Sequence, residues 1–414
     1  MGFTLQIKSK PRQNSLRDFF LVLGVILLSK SLYYETYGGN LLLIGFFFIL
    51  ALVIIPNIRK LKVEKILLLY SFGLIALILI NLETNYRSLF VLISRLMIAI
   101  MLIHLISFER FSKIFTNIIL VLSVISPLAL FVIHFDLPSA LPDFNTVHEG
   151  SEERTLRNFI LFGVDELVLI KYTILRATSI WWEPGAFQLF VNLAVIFSLI
   201  NNNLSFRRYV IFAIAIACSL STTGLIAFSI LSLIHFKNYT ITKKNIVFYL
   251  IPLFILILGS TFIVPSVYDK LNSDSFLSRY YDVIISIHMF SDNFFLGYGY
   301  GTTVEKAIPY GEKLLGYNTY HGQTKPSASD GITGFIAQVG ILGFIFMYPF
   351  LFPRYCNDLK LIDSHLISLT LFVMFNTQNF TNILIFTVLT FYALIKNENS
   401  KIREIKNKVT NVSS

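Results

Sequence analysis

The chain has 414 residues, of which 55% are hydrophobic and only 14% are charged, and its mean hydropathy is +0.69. This composition excludes an ordinary soluble domain and indicates a polytopic membrane protein. The net charge of +10 does not indicate a nucleic-acid partner, because the basic residues lie between apolar runs instead of forming one patch. Cys218 lies in an apolar run and Cys356 in a basic loop, so no disulfide framework and no cysteine metal site is predicted.

Apolar runs of transmembrane length recur along the chain and lack the alternation of a transmembrane barrel. They predict an all-α fold, a single membrane domain with about twelve transmembrane helices. The predicted helices span residues 16–34, 41–56, 66–82, 88–107, 114–135, 184–200, 209–220, 223–236, 246–265, 331–352, 364–376 and 380–395.

The basic residues predict the orientation of these helices. Four of them, Lys8, Lys10, Arg12 and Arg17, lie before or at the start of the first helix, which has no small-residue cleavage site after it and is therefore predicted to be an anchor. With both termini in the cytoplasm, most Lys and Arg residues fall in cytoplasmic segments, including the tail 396–414, and the short external loops hold only Arg87. Residues 209–236 are interpreted as a helical hairpin around Ser221-Thr222-Thr223-Gly224. A single long span is the alternative, and it would place every later loop and the C-terminal tail on the opposite side of the membrane.

Two long segments, residues 136–183 and 266–330, are predicted to be external. They contain aromatic residues, glycine pairs and amphipathic stretches, so we expect folded loops that cover the bundle. The first loop ends in Arg176, Trp181, Trp182 and Glu183, and Pro184 then opens a helix. Glu183 is the predicted N-cap, and the outward helix end and Arg176 could receive an anion. The tryptophans suit a membrane boundary, the favoured interpretation, or the face of a sugar ring.

The second loop begins with an amphipathic pattern at residues 276–287, which predicts a helix lying along the outer leaflet. Its Arg279 could bind a lipid phosphate or form a local pair with Asp282, and Tyr280 lies on its apolar side. Further along, His321 is a candidate general base, with ordinary solvation as the alternative. Ser329 or Asp330 is expected to cap the next helix, whose N-terminus also faces outward.

Arg95 lies inside a predicted span, where an arginine normally faces protein or water. It is therefore a functional candidate. A structural ion pair and a side chain that snorkels to the interface are the alternatives. Lys30, nearer a helix end, is expected to snorkel to the interface. The sequence contains no Walker A motif, zinc-protease motif, Asp-x-Asp pair or nucleophile elbow, which disfavours ATP-driven transport and zinc proteolysis.

Several short motifs resemble those of Wzy-type polysaccharide polymerases, which are related to the O-antigen ligases. They are Arg176 with Trp182-Glu183-Pro184-Gly185, the Ser221-Thr222-Thr223-Gly224 turn, Arg279 ahead of Leu296-Gly297-Tyr298-Gly299, and Ser329-Asp330-Gly331 before Gln338-Val339-Gly340-Ile341-Leu342-Gly343. The resemblance implies a GT-C-like membrane fold in the bacterial inner membrane, with the active face in the periplasm.

The resemblance also implies a substrate of oligosaccharide repeats on undecaprenyl diphosphate, with no metal or nucleotide cofactor. A chain-length regulator protein is a partner that the family allows, alongside membrane lipids. Arg279 and Arg176 are then assigned to the diphosphate, with Arg95 as a third group and Ser329, Asp330, Trp182 and Tyr280 as substrate contacts. Glu183 or His321 would be the base.

Two other functions remain open. A ligase would transfer the glycan to lipid A-core, but Glu183-Pro184-Gly185 and Thr222-Thr223 depart from the ligase-type motifs and favour a polymerase. A transporter or flippase for the same lipid-linked sugar would more often show paired halves with broken helices, whereas this chain places its polarity in two one-sided loops.

Overall fold

The computed structural model describes residues 15–32, 34, 39–55, 64–81, 83–134, 144–146, 154–159, 162–169, 172–181, 183–237, 274–316, 331–356, 359–376 and 380–395. Within these ranges it is mainly helical. The helices are α1 (Ser15–Leu27), α2 (Gly39–Ile54), α3 (Lys65–Ile80), α4 (Tyr86–Leu105), α5 (Phe108–His134), α6 (Pro184–Ile200), α7 (Phe206–Ser219), α8 (Thr222–Lys237), α9 (Asp274–Asp292), α10 (Thr303–Leu315), α11 (Ile332–Val339), α12 (Gly343–Leu351), α13 (Leu361–Asn376) and α14 (Leu384–Leu394). A 3-10 turn at Arg354–Cys356 precedes α13.

Most of the predicted helices are present close to their predicted positions, which supports the helical membrane fold. Helices α4 and α5 are long and apolar enough to cross a membrane, and six further helices are apolar but shorter. The predicted helix at 246–265 and the tail 396–414 lie outside the described residues. The number of twelve spans therefore stays a prediction.

Two helices form the centre of the bundle. Nearly every side chain of α6 is buried, and so is every side chain of α14. Aromatic rings fill the space around them: Phe108 stacks on Tyr355, and Phe115 contacts both Phe190 and Phe197. In contrast, α2 and α3 expose leucine, isoleucine and phenylalanine side chains along their lengths. An apolar exterior is what contact with lipid requires, and it matches the composition of the chain.

The helix ends meet at two opposite ends of the bundle. At one end, which we call the basic end, Asp18 of α1 binds Arg110 of α5, and Asn201 after α6 donates to Ser112. The Tyr392 hydroxyl near the end of α14 donates to the Ile106 carbonyl just after α4. The other end holds the start of α4, α6 and α14 and the C-terminal end of α1, and we call it the polar end. The basic clusters and the long loops are thus segregated, as the sequence predicts.

Helices α7 and α8 form the predicted hairpin. Tyr209 at the start of α7 donates or accepts a 2.9 Å hydrogen bond with Ser232 near the end of α8, and its ring stacks on His235. The chain reverses at Leu220, whose backbone is left-handed (φ 47°). Arg208 and Lys237 both lie at the basic end, because Arg208 contacts Asn117 and Lys237 binds Asp363. A single continuous span over residues 209–236 is excluded.

The first long loop contains a β-sheet, so the all-α prediction was incomplete. Strands β1 (Phe144–Thr146), β2 (Arg154–Phe159), β3 (Phe162–Leu169) and β4 (Tyr172–Ser179) form an antiparallel sheet in the order β1-β2-β3-β4. In the register, Arg176 of β4 lies opposite Asp165 of β3. Strand β4 packs on α5, α6 and α7 and leads directly into α6. The loop is folded, as expected.

Four predicted helices were wrong in extent. The first ends at Leu27 instead of residue 34, and the last begins at Leu384 instead of residue 380. Helix α5 begins at Phe108, six residues before its predicted start at residue 114. The predicted helix 331–352 is two helices, separated at Gly340, whose backbone lies in the left-handed region (φ 72°). A Cβ atom at Gly340 would lie 2.2 Å from the Phe295 carbonyl oxygen. Glycine at this position therefore allows the second long loop to pass against the break.

Candidate functional site

The polar end brings several chain segments together in one place. Ser31 after α1 forms an isolated antiparallel bridge with Trp181, and the Leu32 amide donates to the Ile180 carbonyl at 2.9 Å. The Ile385 amide in the first turn of α14 donates to Ser29 Oγ at 3.0 Å. These bonds fix the end of α1 between the start of α6 and the start of α14.

Glu183 lies at the start of α6, in the predicted N-cap position, with an extended backbone (φ −143°, ψ 150°). Its side chain forms no capping hydrogen bond, and the Ala186 amide donates to its backbone carbonyl at 3.1 Å. The half-buried carboxylate has no ion pair with any residue that the structure describes. Its carboxylate is consequently not committed to the helix end.

The Glu-Pro-Gly motif at the start of α6 and the Ser-Thr-Thr-Gly turn of the hairpin are linked by hydrogen bonds. Asn192 Nδ2 donates to the Gly224 carbonyl at 3.2 Å and to Gln188 Oε1 at 3.1 Å. Gln188 Nε2 in turn donates to the Gly185 carbonyl at 2.9 Å. The Glu-Pro-Gly start of α6 is therefore coupled through two amide side chains to the Ser-Thr-Thr-Gly turn. Gly224 permits this contact, because a Cβ atom there would lie 2.7 Å from Gln188 Cβ.

The two motifs of the second loop and α11 are also in contact. The Tyr298 and Gly299 amides donate to the carbonyls of Ala337 and Gln338, each at 3.0 Å. Gln338 Oε1 accepts from the Gly301 amide at 2.8 Å. Buried backbone groups require partners, and here an irregular loop satisfies the carbonyls that the early end of α11 leaves open. This packing fixes the position of Tyr300, whose carbonyl accepts from the Asn85 amide before α4 and whose hydroxyl reaches Asn382 before α14.

Arg95 and Tyr300 are buried and interact electrostatically at the polar end. Arg95 is 9% exposed and about 13 Å along α4 from its first residue, at 1.5 Å per residue. It forms no ion pair with a carboxylate among the described residues. Burial raises the pKa of the Tyr300 phenol above 10, and the Arg95 charge partly opposes that rise. The Tyr300 hydroxyl donates to Asn382 Oδ1 at 2.8 Å.

Helix α9 confirms the predicted amphipathic helix, and its polar side faces the protein. Tyr280 and Ile287 are 52% and 50% exposed, whereas Asp282 and Ser286 are buried. An apolar face turned outward fits a helix that lies at a membrane surface. Arg279 is half-buried and forms no ion pair with Asp282, so the local pair considered for it is absent. Arg279 is placed on a helix that packs on α11.

Four of the predicted site residues lie outside the described residues: Trp182, His321, Ser329 and Asp330. The prediction that Ser329 or Asp330 caps α11 was wrong, because Gly331 occupies the N-cap position. Asn376 at the end of α13 takes the capping role, since its Oδ1 accepts from the Thr333 amide at 3.1 Å. Trp181 is fully buried and stacks on Phe187 and Phe190, so it is a core residue and no sugar platform.

Arg176 is half-buried on β4, seven residues before Glu183. Strand β4 contacts both α6 and α7, which places Arg176 on the element that leads into the Glu183 turn. Trp181, two residues before Glu183, forms a bridge with Ser31. Ser29 binds Ile385 at the start of α14, close in the chain to Asn382, which binds Tyr300. Arg279 and Tyr280 lie on α9, which packs on α11.

Lys30, which was expected only to snorkel, becomes a candidate site residue in the structure. Its backbone is left-handed (φ 57°), which is uncommon for a residue other than glycine, and its ammonium lies 5.4 Å from the centre of the Phe380 ring. It has no ion pair among the described residues. The helix was predicted to continue past Lys30, and only the bridge from Ser31 to Trp181 shows that it stops. No local sequence signal indicates this stop.

The described residues contain no group of three or more histidine, cysteine, aspartate or glutamate side chains that could hold a metal ion. The described side chains of the polar end provide arginine, lysine, tyrosine, amide and carboxylate groups. These can bind anions, donate hydrogen bonds and accept one proton.

The comparison with known proteins supports the resemblance seen in the sequence. A family model for Wzy_C, described as O-antigen ligase, matches residues 209–348, which include the hairpin, α9, α10, α11 and most of α12. No curated protein and no solved structure matches the chain. The matched segment contains the Ser-Thr-Thr-Gly turn. It also contains the loop around Gly297 and the break at Gly340 against which that loop packs. The match over residues 209–348 supports membership of the O-antigen ligase and polymerase superfamily.

Proposed function

We propose that this protein is a polysaccharide polymerase that joins oligosaccharide repeats carried on undecaprenyl diphosphate at the outer face of the bacterial inner membrane. The observation that carries the proposal is the buried Arg95, which lies near Tyr300 and has no carboxylate partner among the described residues. The match of residues 209–348 to the O-antigen ligase family model supports it. A buried charge without a protein partner is costly, and an anionic substrate would compensate it.

The proposed reaction is a glycosyl transfer. A hydroxyl oxygen of the acceptor repeat attacks the anomeric carbon of the donor and forms the new C–O bond. The bond from that carbon to the diphosphate oxygen breaks, and its electron pair leaves with the diphosphate. The proton of the acceptor hydroxyl passes to a base. Catalysis therefore requires one proton acceptor and cations that stabilise the departing diphosphate.

The residues of the polar end suit these tasks. Glu183 has a carboxylate that neither caps α6 nor pairs with a described cation, so we assign it as the base, with His321 as the alternative. Arg95, Arg176 and Arg279 would bind the diphosphate, because a guanidinium stays charged and forms two parallel bonds to phosphate oxygens. Trp182, Tyr280, Ser329 and Asp330 are proposed to contact the remainder of the substrate.

The test uses purified full-length protein in lipid nanodiscs with a synthetic undecaprenyl-diphosphate-linked repeat. A ladder of longer glycans should form without ATP and in the presence of a chelator. No elongation with the correct repeat would overturn the polymerase proposal. Arg279→Ala should abolish the ladder, whereas Lys313→Ala, which removes an exposed cation from the same loop, should leave it unchanged. Normal chain lengths in Arg279→Ala would remove Arg279 from the site.

The ligase is the second candidate, because the matching family model is described as O-antigen ligase. The same preparation can be given a lipid A-core acceptor together with the lipid-linked donor. Transfer to lipid A-core without a ladder of lipid-linked products would establish the ligase and reject the polymerase. Movement of the lipid-linked repeat across a liposome membrane without any glycan transfer would instead establish a flippase.

A further inference from the structure

A shallow groove lies between α1 and α5 at the basic end, far from the proposed site. Its volume is about 460 Å³. The walls are formed by Phe19, Ile118, Val121 and Leu122, and Arg110 and Lys113 lie at its rim. The groove is therefore apolar along its length and cationic at one end.

The walls of the groove belong to the apolar exterior of the bundle. Val121 is 56% exposed and Phe19 is 40% exposed, although both are apolar. In a membrane protein such an exposed apolar surface contacts lipid acyl chains. A small soluble anion would leave these walls without a partner, whereas a lipid chain would cover them.

The rim carries more positive than negative charge. Asp18 binds both Arg17, at 2.9 Å, and Arg110, at 2.5 Å, so one carboxylate is shared by two guanidinium groups. Lys113 pairs with Glu109 at 2.7 Å, and both side chains are about half exposed. Arg17, Arg110 and Lys113 thus share two carboxylates, Asp18 and Glu109, and Arg208, described next, adds a fourth cation.

Arg208 extends this positive rim from the neighbouring α7. Its guanidinium donates to Asn117 Oδ1 at 3.3 Å, and Asn117 lines the groove. Arg208 has no carboxylate partner in the described part of the chain. Its charge is consequently available to a ligand that lies in the groove.

We propose that this groove binds an anionic phospholipid, with its phosphate at the Lys113 and Arg208 rim and an acyl chain along Val121 and Phe19. A basic pocket between transmembrane helices next to an apolar surface has the chemistry that recognises anionic headgroups. A zwitterionic lipid is disfavoured, because its headgroup cation would lie among four protein cations. The site is independent of the proposed glycan transfer.

The test measures bound lipid on the purified full-length protein by native mass spectrometry, with phosphatidylglycerol and phosphatidylcholine as probes. The wild-type protein should retain phosphatidylglycerol in preference to phosphatidylcholine. Each cation near an anionic lipid contributes roughly a fivefold factor in binding, so the double variant Lys113→Gln, Arg208→Gln should weaken phosphatidylglycerol binding by about 25-fold. Lys65→Gln removes an exposed cation at the start of α3 and should have no effect.

A second pair of variants tests the apolar walls. Val121→Trp fills the groove and should displace the lipid, whereas Leu128→Trp, an exposed position on the same helix outside the groove, should not. Equal retention of the two lipids would overturn the proposal, as would unchanged binding in the double variant. A change of oligomeric state in Val121→Trp without loss of lipid would show that a second copy of the chain covers the groove and would also reject the lipid.

Discussion

The contact between Gly224 and Gln188 provides the sharpest test of how α6 and the hairpin are arranged. In Gly224→Ala, the new Cβ atom would lie 2.7 Å from Gln188 Cβ and 2.9 Å from Gln188 Cγ. Gln188 Cβ is attached to the backbone of the fully buried α6 and cannot turn away. Carbon atoms pack at roughly 3.5 to 4 Å, so α6 and α8 must separate by about 1 Å.

The expected loss of stability follows from this separation. Overpacking of a close helix contact costs about 1 to 3 kcal/mol, and the Asn192 to Gly224 hydrogen bond contributes about 1 kcal/mol more. Alanine is favoured over glycine in a helix by about 1 kcal/mol, which offsets part of the cost. The net result should be a destabilisation of about 1 to 3 kcal/mol.

The free energy of unfolding can be measured by denaturant titration of the protein in detergent micelles. Gly45→Ala is the matched control, because Gly45 lies inside α2 and an added Cβ atom meets nothing within 4 Å. That control should be neutral or stabilised by up to about 1 kcal/mol. Equal stability of the two variants would refute the close contact between the two motifs. If the contact also supports the site, Gly224→Ala should reduce elongation per folded molecule.

Three further predictions use the same unfolding and elongation assays. Arg95→Met should abolish elongation, because the substrate phosphate loses its cation. It should not lower stability, since a buried arginine costs roughly 2.5 to 3.5 kcal/mol on insertion scales, and a marked destabilisation would indicate a structural role. Tyr300→Phe removes the hydroxyl that binds Asn382 and should cost about 1 kcal/mol together with a partial loss of elongation, whereas wild-type stability would contradict that bond. Asp363→Asn breaks the 2.9 Å pair with Lys237, whose side chain is 43% exposed, and should cost about 1 to 2 kcal/mol with normal elongation of the folded protein; lost elongation would place this pair in the site.

The sequence predicted those parts of the fold that depend on local hydrophobicity and charge. The hairpin follows from basic residues on both sides of two short apolar runs, and the contact between Tyr209 and Ser232 confirms it. The start of α6 follows from Glu183 and Pro184, because proline is favoured in the first turn of a helix. The amphipathic α9 follows from its apolar period.

The parts that the sequence did not predict depend on distant segments. The stop after Leu27 is imposed by Trp181, and the break at Gly340 is imposed by residues 294–299, which contribute backbone hydrogen bonds. The capping of α11 comes from Asn376, more than forty residues away. Neighbouring residues carry no signal for such contacts. The four-stranded sheet was not predicted, because its strands lie in the long polar segment 136–183, which the sequence predicts as a loop.

The distribution of ion pairs distinguishes the two ends of the bundle more clearly than the number of charges does. At the basic end, Asp18 and Asp363 are buried and each binds a cation, so these charges are used within the protein. At the polar end, Arg95, Lys30 and Glu183 form no ion pairs with described residues, and Lys306 with Glu83 forms an exposed pair. Unpaired charges near a membrane interior reduce stability unless a ligand compensates them. We therefore propose that the polar end binds a ligand that supplies both negative charge, for Arg95 and Lys30, and a proton donor, for Glu183. A glycan diphosphate with a hydroxyl acceptor has both properties.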